Sequence, residues 1–412
     1  MKKFKVIIIF IFLIILFCSL FYIYNNKKLN LFLKNIEEEK ISVNKYYIYG
    51  NHLNIEGSLN KDFNDIKDIK LILKSNIEEI EYKINYSLDN GFDFYISQYI
   101  NDGINLEKLN NNKYYILLKF IYENNDIKYY GLKNNTDYKN TIYYTIDNYK
   151  FNINFDNIMN IKSKINKNKE IYDIVIDPGH GGIDSGAVNG NYYESNLTLE
   201  YAKMLKEKLE SFGYKTKLTR DSDIKLNNYG KDSRTSIVYE SKAKYLFSIH
   251  FNSSENYISY SGIEIYLPNN MNLSFASTLS KNIVNNTSLN YSTNNSFKVK
   301  DGIYIRNMQS IDIKNMKEDA IKNNYNPYDI STSTPYLYML RETGGIITNA
   351  YVDGRKNNIK NEYYKSNIAP ESYLLELGYI NNKKDLTIIL NEKEKYIDTI
   401  TNSIINKIKS DS

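Results

Sequence analysis

Residues 174–182, which read IVIDPGHGG, decide the fold. A short apolar run that ends in aspartate, proline and glycine is typical of a buried strand followed by a tight loop. A helical pattern follows over residues 195–212, and Gly213 stands where a helix commonly ends. The apolar stripe of this predicted helix consists of Leu199, Ala202, Leu205, Leu209 and Phe212. Strand, loop and helix in this order predict the first unit of an α/β fold.

Three more apolar runs and a last helix continue the alternation towards the C-terminus. The runs are YLFSIH at 245–250, GIEIYL at 262–267 and YLLELG at 373–378, and the helical pattern covers residues 397–408. Alternating strands and helices are typical of a largely parallel sheet with helices on its faces. We therefore predict that residues 171–412 form an α/β domain with a mostly parallel sheet flanked by helices.

Residues 46–155 show a different pattern, in which short apolar runs alternate with polar residues and are separated by Asn, Asp and Gly. This spacing predicts a small all-β, sandwich-like antiparallel domain. The Lys- and Asn-rich residues 156–170 are predicted to be a linker, and the polar residues 29–45 a spacer. The chain thus divides into segments 1–28, 29–45, 46–155, 156–170 and 171–412.

Residues 1–28 have the composition of a membrane anchor. Three lysines fall within the first five residues, and residues 6–24 are apolar apart from Ser19. An apolar helix of that length spans roughly 28 Å, about the thickness of the hydrocarbon core of a bilayer. The residues that follow offer no small pair for signal cleavage, so an uncleaved anchor is predicted. Lys27 and Lys28 weaken the charge asymmetry, but the Lys-rich start favours an extracytoplasmic position for the remainder.

Charge and cysteine content exclude several classes of protein. Among 412 residues, 53 Lys and Arg face 48 Asp and Glu, which leaves a net charge of +5 without a basic block. Nucleic acid is therefore not an expected partner. Cys18 is the single cysteine, so the chain forms no intramolecular disulfide.

Four residues with metal or acid–base chemistry fall at the ends of predicted elements. His180, His250 and Glu376 lie at or near the ends of apolar strands, and Glu194 opens the helix after the glycine-rich loop. Imidazole and carboxylate are zinc ligands, and three protein ligands leave one position open. Zinc makes hydroxide available near neutral pH, and a further carboxylate could act as the base. From the residues alone, two purely structural histidines are an equally good interpretation.

Four segments in this part of the chain resemble a known family. They are DPGHGG at 177–182, SIHFN at 248–252, GIEIY at 262–266 and LLELGYINN at 374–382, and Glu194 lies between the first two. In this order they resemble the zinc-dependent N-acetylmuramoyl-L-alanine amidases of the "amidase 3" type. The likeness covers most of residues 171–409.

The resemblance implies a ligand set and a reaction. His180, Glu194 and His250 match the zinc ligands of the family, and Glu376 matches its catalytic glutamate. The implied reaction is hydrolysis of the amide bond between the lactyl group and L-alanine in peptidoglycan, with water activated by Zn²⁺ and with Glu376 as general base and acid. A membrane-anchored cell-wall hydrolase, or autolysin, is therefore expected, and the sequence names no protein partner. The alternative is a catalytically inactive relative that binds the wall or recruits other hydrolases, but such a relative should have lost one of these residues.

Residues 298–369 form a long excursion between two strands of the predicted sheet. Some members of the family carry an inserted helix here that covers the cleft. We expect a lid or a substrate-contacting wall, and a decorated surface loop without function is an equal alternative.

Overall fold

The computed structural model describes residues 2–109, 112–135, 141–146, 149–155, 157–165, 171–227, 232–255, 259–322, 330–343 and 370–411. The glycine-rich motif at 177–182 and all four candidate site residues lie within these ranges. Much of the excursion, residues 323–329 and 344–369, lies outside them.

The chain begins with helix α1, Lys2–Lys34, an apolar helix as predicted. By length and composition its segment Phe10–Lys34, with a mean hydropathy of 1.6, is long and apolar enough to cross a membrane. A signal sequence would have the same properties. The helix extends beyond residue 28, and Phe32 packs edge-on against Tyr129, with their ring centroids 4.8 Å apart.

The next part of the chain is built of strands. Their bounds are β1 Glu37–Tyr49, β2 His52–Leu59, β3 Ile66–Lys74, β4 Glu79–Lys83, β5 Asn85–Ser87, β6 Phe92–Tyr95, β7 Ile104–Asn105, β8 Lys113–Tyr122, β9 Ile127–Asn134, β10 Thr141–Ile146, β11 Tyr149–Phe155 and β12 Met159–Ile165. Hydrogen bonds join all twelve into one sheet. Among the described residues the strand pairings of this sheet are antiparallel, except that β1 pairs with β9 in parallel, which corrects the predicted antiparallel arrangement at that pairing.

Strand β1 corrects the predicted spacer at 29–45. Residues 29–34 are helical and residues 37–45 belong to β1. Within this strand Ile41 and Val43 are buried, whereas Ser42 and Asn44, at the alternate positions, are more exposed. The charged residues 37–40 obscured this alternation of buried and exposed positions in the sequence. The strand forms nevertheless, because backbone pairing does not depend on the polarity of the side chains.

Strand β12 corrects the predicted linker at 156–170 in the same way. It pairs with β11 and β8, and Met159, Ile161 and Ser163 are buried. Lysine and asparagine at the alternate positions made this strand appear as a polar segment.

The C-terminal part contains helices and short strands in alternation. The strands are β13 Ile174–Pro178, β14 Val188–Asn189, β15 Tyr192–Tyr193, β16 Thr216–Leu218, β17 Tyr245–Asn252, β18 Glu264–Tyr266, β19 Lys298–Lys300, β20 Ile303–Tyr304 and β21 Glu371–Tyr379. The helices are α2 Glu194–Ser211, α3 Arg234–Ser241, α4 Ser274–Asn286, α5 Ser310–Lys322, α6 Tyr338–Thr343, α7 Lys383–Asn391 and α8 Lys393–Asp411. The α/β architecture is thus as predicted.

The central sheet has the order β16-β13-β17-β21-β18-β20-β19. β16, β13, β17 and β21 are mutually parallel, whereas β18 is antiparallel to β21 and β19 is antiparallel to β20. β18 and β20 are parallel, so four of the six neighbouring pairs are parallel and two are antiparallel. The sheet is therefore mixed, and the predicted mostly parallel sheet includes two antiparallel pairings. Gly302, with a φ of +72°, lies in the short turn that reverses the chain between β19 and β20, and the apolar strand runs alone do not encode such a reversal.

Each central strand divides its side chains between two covered faces. Ile176, Phe247 and Leu375 pack in one core cluster with side chains of α2, α4, α7 and α8. Val175 and Leu246 belong to a second cluster on the opposite face, with side chains of α3 and α6. Because alternate residues point to opposite faces, the polar side chains of Ser248, His250 and Glu376 fall on or beside the second face.

The twelve-stranded sheet contacts the amino-terminal edge of the central sheet. Lys244, just before β17, forms a buried ion pair of 2.6 Å with Glu107. The Asn101 amide donates to Glu371 at the start of β21 over 3.1 Å. Cutting the chain at residue 171 would leave Lys244 buried without Glu107, so the experiments below use the full chain.

His52, at the start of β2, predicts a pH-dependent stability. Burial lowers its pKa to about 4, an effect that the charge of Asp411 only partly opposes. Since the unfolded chain binds this proton near pH 6.5, stability falls as the pH decreases from about 6.5 to 4. Relative to His52→Gln, the chain should lose about 2–3 kcal/mol of unfolding free energy between pH 7.5 and 4.5. Urea unfolding of both proteins measures this, and parallel pH profiles would contradict it.

Candidate active site

Two adjacent parallel strands place an imidazole beside a carboxylate. β17 and β21 are in register, so that His250 pairs with Glu376. Paired residues on neighbouring strands project to the same face about 4.8 Å apart. Both lie near the carboxyl ends of these strands, the edge at which open α/β sheets bind ligands.

His180 comes from the glycine-rich loop after β13. Its φ is +60°, a left-handed conformation that is uncommon for a residue other than glycine. Gly179 lets the loop pass directly against His250, because an added Cβ would lie 2.3 Å from the Cε1 atom of that ring. The two imidazole centroids are consequently 5.0 Å apart.

Glu194, the first residue of α2, lies between the two imidazoles. Its Oε2 is 3.2 Å from His180 Nε2, and its Oε1 is 2.9 Å from His250 Nδ1. The amides of Ala187 and Phe251 donate to the same carboxylate over 2.9 and 3.1 Å. The side chain is held rigidly, and the helix N-terminus stabilises its negative charge.

Two buried arginines hold the loop that carries His180. Arg234 forms an ion pair of 2.6 Å with Asp177 and donates to the carbonyl oxygen of His180. Arg220 donates to the carbonyls of Pro178 and Gly179 over 3.1 and 2.8 Å. Both side chains are buried. Their guanidinium groups therefore hold the backbone of the loop at residues 178–180 through charged hydrogen-bond donors.

The neighbouring charges shift the pKa values of three residues in the site. Burial raises the pKa of Glu194, but hydrogen bonds to both imidazoles outweigh it and hold that pKa well below its usual value. Burial lowers the pKa of His180, yet the carboxylates of Glu194 and Asp184 produce a net increase. For Glu376, burial and then the charges of Glu194 and Glu264 raise the pKa well above the ordinary value.

Glu264 is a buried carboxylate whose contribution the sequence did not reveal. It is the register partner of Glu376 on β18, opposite His250. Donors surround it: the hydroxyls of Ser292, Tyr266 and Tyr379 and the amide of Asn252, over 2.5–3.0 Å. These donors stabilise the negative charge of Glu264 beside Glu376. Glu264 reaches this position because β18 pairs antiparallel with β21.

The site opens into a cleft of about 530 Å³. Leu337, Tyr338 and Met339 line it, together with Gly179 and Glu194. These three residues belong to the excursion at 298–369, whose first part adds β19 and β20 to the sheet.

The donor set fits a zinc ion. One ligand atom from each of His180, Glu194 and His250 lies within 4.8 Å of the other two. Among the described residues, the buried Oε2 of Glu376 has no hydrogen-bond partner. An added Cβ at Gly186 would lie 2.6 Å from Glu194 Oε2, so only glycine leaves this carboxylate its position. Two imidazoles, one carboxylate and an adjacent acid are typical of zinc-dependent hydrolases.

The chain belongs to the N-acetylmuramoyl-L-alanine amidase family, whose model matches residues 174–410. Zinc dependence is a general property of this family. The predicted family resemblance is thereby confirmed.

Named relatives match the C-terminal part. The germination-specific N-acetylmuramoyl-L-alanine amidase of Bacillus subtilis is 35% identical over 91 residues, 19% of this chain and 38% of its own length. N-acetylmuramoyl-L-alanine amidase AmiA of Escherichia coli is 36% identical over 84 residues, 20% of this chain and 28% of its own. The chain therefore spans about a third of the length of each. The solved structure of amidase AmiC2 of Nostoc punctiforme is 23% identical and covers 57% of this chain and 96% of its own, with a TM-score of 0.38.

Gly179→Ala is predicted to impair metal binding although it replaces none of the three ligand residues. The new methyl group would collide with the His250 ring, 2.3 Å away, and displace it. Zinc affinity, measured by competition with a chromogenic chelator, should fall about 10- to 100-fold. Gly190→Asn is the control, because no atom lies within 4 Å of an added Cβ there and Asn tolerates its φ of +59°. Parental zinc affinity in Gly179→Ala would contradict the prediction.

Proposed function

We propose that this chain is a membrane-anchored N-acetylmuramoyl-L-alanine amidase that hydrolyses the amide bond between the lactyl group and L-alanine in peptidoglycan. The observation that supports this most strongly is the convergence of His180, Glu194 and His250 within 4.8 Å, with Glu376 paired to His250 across the sheet. Family membership selects the bond.

His180, Glu194 and His250 would hold the zinc ion. When bound, zinc supplies Lewis-acid polarisation of a carbonyl oxygen and lowers the pKa of water. Glu376 takes a proton from the attacking water on a carboxylate oxygen. It then gives this proton to the nitrogen of the departing L-alanine, so one residue serves as base and acid.

The protein around the site prepares these steps. Burial, and then the charges of Glu194 and Glu264, raise the pKa of Glu376, which makes its carboxylate a stronger acceptor for the proton of the attacking water. Arg220 and Arg234 fix the backbone on which His180 is mounted. Leu337 and Met339 shield one side of the cleft, and we propose that this wall contacts the stem peptide.

Helix α1 completes the proposal as an uncleaved anchor. It would hold the remaining chain on the wall side of the cell membrane, where the substrate lies. Residues 10–24 of this helix are exposed, which suits contact with lipid.

Product analysis tests the function. The full chain in detergent micelles is incubated with purified peptidoglycan, with and without a chelator, and the products are identified by mass spectrometry. Free stem peptides that begin at L-alanine, released only without the chelator, are expected. Products cut at a glycosidic bond or within the peptide would overturn the proposal.

A further inference from the structure

A groove separate from the active-site cleft lies where the twelve-stranded sheet meets the α/β part of the chain. Its volume is about 1210 Å³, more than twice that of the cleft at about 530 Å³. Strands β1, β2, β5 and β6 contribute to its lining from the twelve-stranded sheet, and Asn269, Asn270 and Ser333 contribute from the α/β part. The mechanism does not use it, and most of its lining residues lie outside the family match at residues 174–410.

The floor of the groove is a row of side chains across four strands. The pairings place Lys45, Glu56, Tyr95 and Asn85 side by side on one face. Lys45 and Glu56 neutralise each other over 3.1 Å. Tyr95 is 41% exposed, so its ring offers a flat apolar surface between polar neighbours.

Other side chains of the groove remain available for hydrogen bonds. Within the described residues, neither Asp93 nor Gln98 makes a side-chain hydrogen bond, although both line the groove. Tyr86, 38% exposed, adds a second ring at the edge strand β5. An amide and a carboxylate provide both donors and acceptors.

This combination favours a neutral saccharide. Exposed tyrosine rings pack against the apolar faces of sugars, and amides and carboxylates pair with hydroxyl and acetamido groups. Lys45 is paired, and Asp93 adds negative charge, so phosphates and the carboxylates of stem peptides are disfavoured.

The groove is also close to the active-site cleft. Ser333 lines the groove and Leu337, four positions further along the chain, lines the cleft. Four residues span at most about 14 Å of fully extended chain. One polymer can therefore occupy both places.

We propose that the groove binds the N-acetylhexosamine backbone of the peptidoglycan strand whose stem peptide enters the cleft. This inference rests on the proposed function and adds a glycan subsite to it. The twelve-stranded sheet is then a substrate-binding part of the enzyme, held to the α/β part by the buried Lys244–Glu107 ion pair and the Asn101–Glu371 hydrogen bond.

Binding is measured on the full chain carrying Glu376→Gln, with an N-acetylglucosamine hexamer as a peptide-free probe. Isothermal titration calorimetry should detect the hexamer, and Tyr86→Ala with Tyr95→Ala should weaken its binding at least about tenfold. Tyr115→Ala, a half-buried tyrosine of β8 outside the groove, is the control and should bind as the parent does. Thermal unfolding of each variant verifies folding.

The outcomes separate the two proposals. No binding of the hexamer by the parent, or equal binding by the double variant, overturns the glycan subsite. Binding of an isolated stem peptide by the groove, lost in the double variant, would assign it to a peptide and overturns the subsite as well. The proposed function is tested independently, by the release of stem peptides by the chain with Glu376 intact.

Discussion

Replacing Glu376 by glutamine is expected to lower the rate of amide hydrolysis about 10²- to 10⁴-fold. The amide of glutamine keeps the shape of the side chain but cannot accept a proton from water and return it to the leaving nitrogen. Because Glu376 contributes no ligand to the His–Glu–His group, zinc content and thermal stability should remain close to those of the parent. The rate is measured as the release of stem peptides from peptidoglycan.

The matched control is Glu207→Gln, which makes the same change on the exposed side of α2. It should leave the rate unchanged. If Glu376→Gln retained the parental rate, or lost its activity only together with its zinc, the assignment of Glu376 as base and acid would be wrong.

His180→Ala is expected to remove both the zinc and the activity. The variant loses one of three ligands and also the hydrogen bonds that hold Glu194 and Asp184 in place. Zinc measured by atomic absorption should fall from about one per chain to near zero, and the rate by roughly three orders of magnitude or more.

His52→Gln serves as the control for this variant. His52 is the one histidine of the chain outside the site, so its replacement should keep both zinc and activity. Parental zinc content in His180→Ala would exclude that residue as a ligand.

The local chemistry of the sequence predicted the positions of the candidate site residues. The run IVIDPGHGG gave β13 and the loop that carries His180, because a buried strand and a glycine turn each leave a strong local pattern. His250 and Glu376 were placed at strand ends in the same way. Their pairing across β17 and β21 is a long-range property, and only the fold could reveal it.

The features that the sequence did not predict are of two kinds. Some depend on contacts between residues far apart in the chain, and others are strands whose alternation is hidden by polar residues. Glu264 reaches Glu376 only because β18 runs antiparallel to β21. Arg220 and Arg234 bind backbone carbonyls, which leave no trace in the sequence. The strands at 37–45 and 159–165 were hidden because their exposed positions carry Lys, Glu and Asn in long polar runs.

The central claim is that three side chains, far apart in the sequence, bind one divalent ion. Anomalous diffraction at the zinc absorption edge, from crystals of the full chain grown with zinc, tests it directly. The account predicts one peak about 2.0–2.2 Å from a ligand atom of each of His180, Glu194 and His250, with Glu376 beside it. A fully occupied peak elsewhere, with none at these residues, would contradict it.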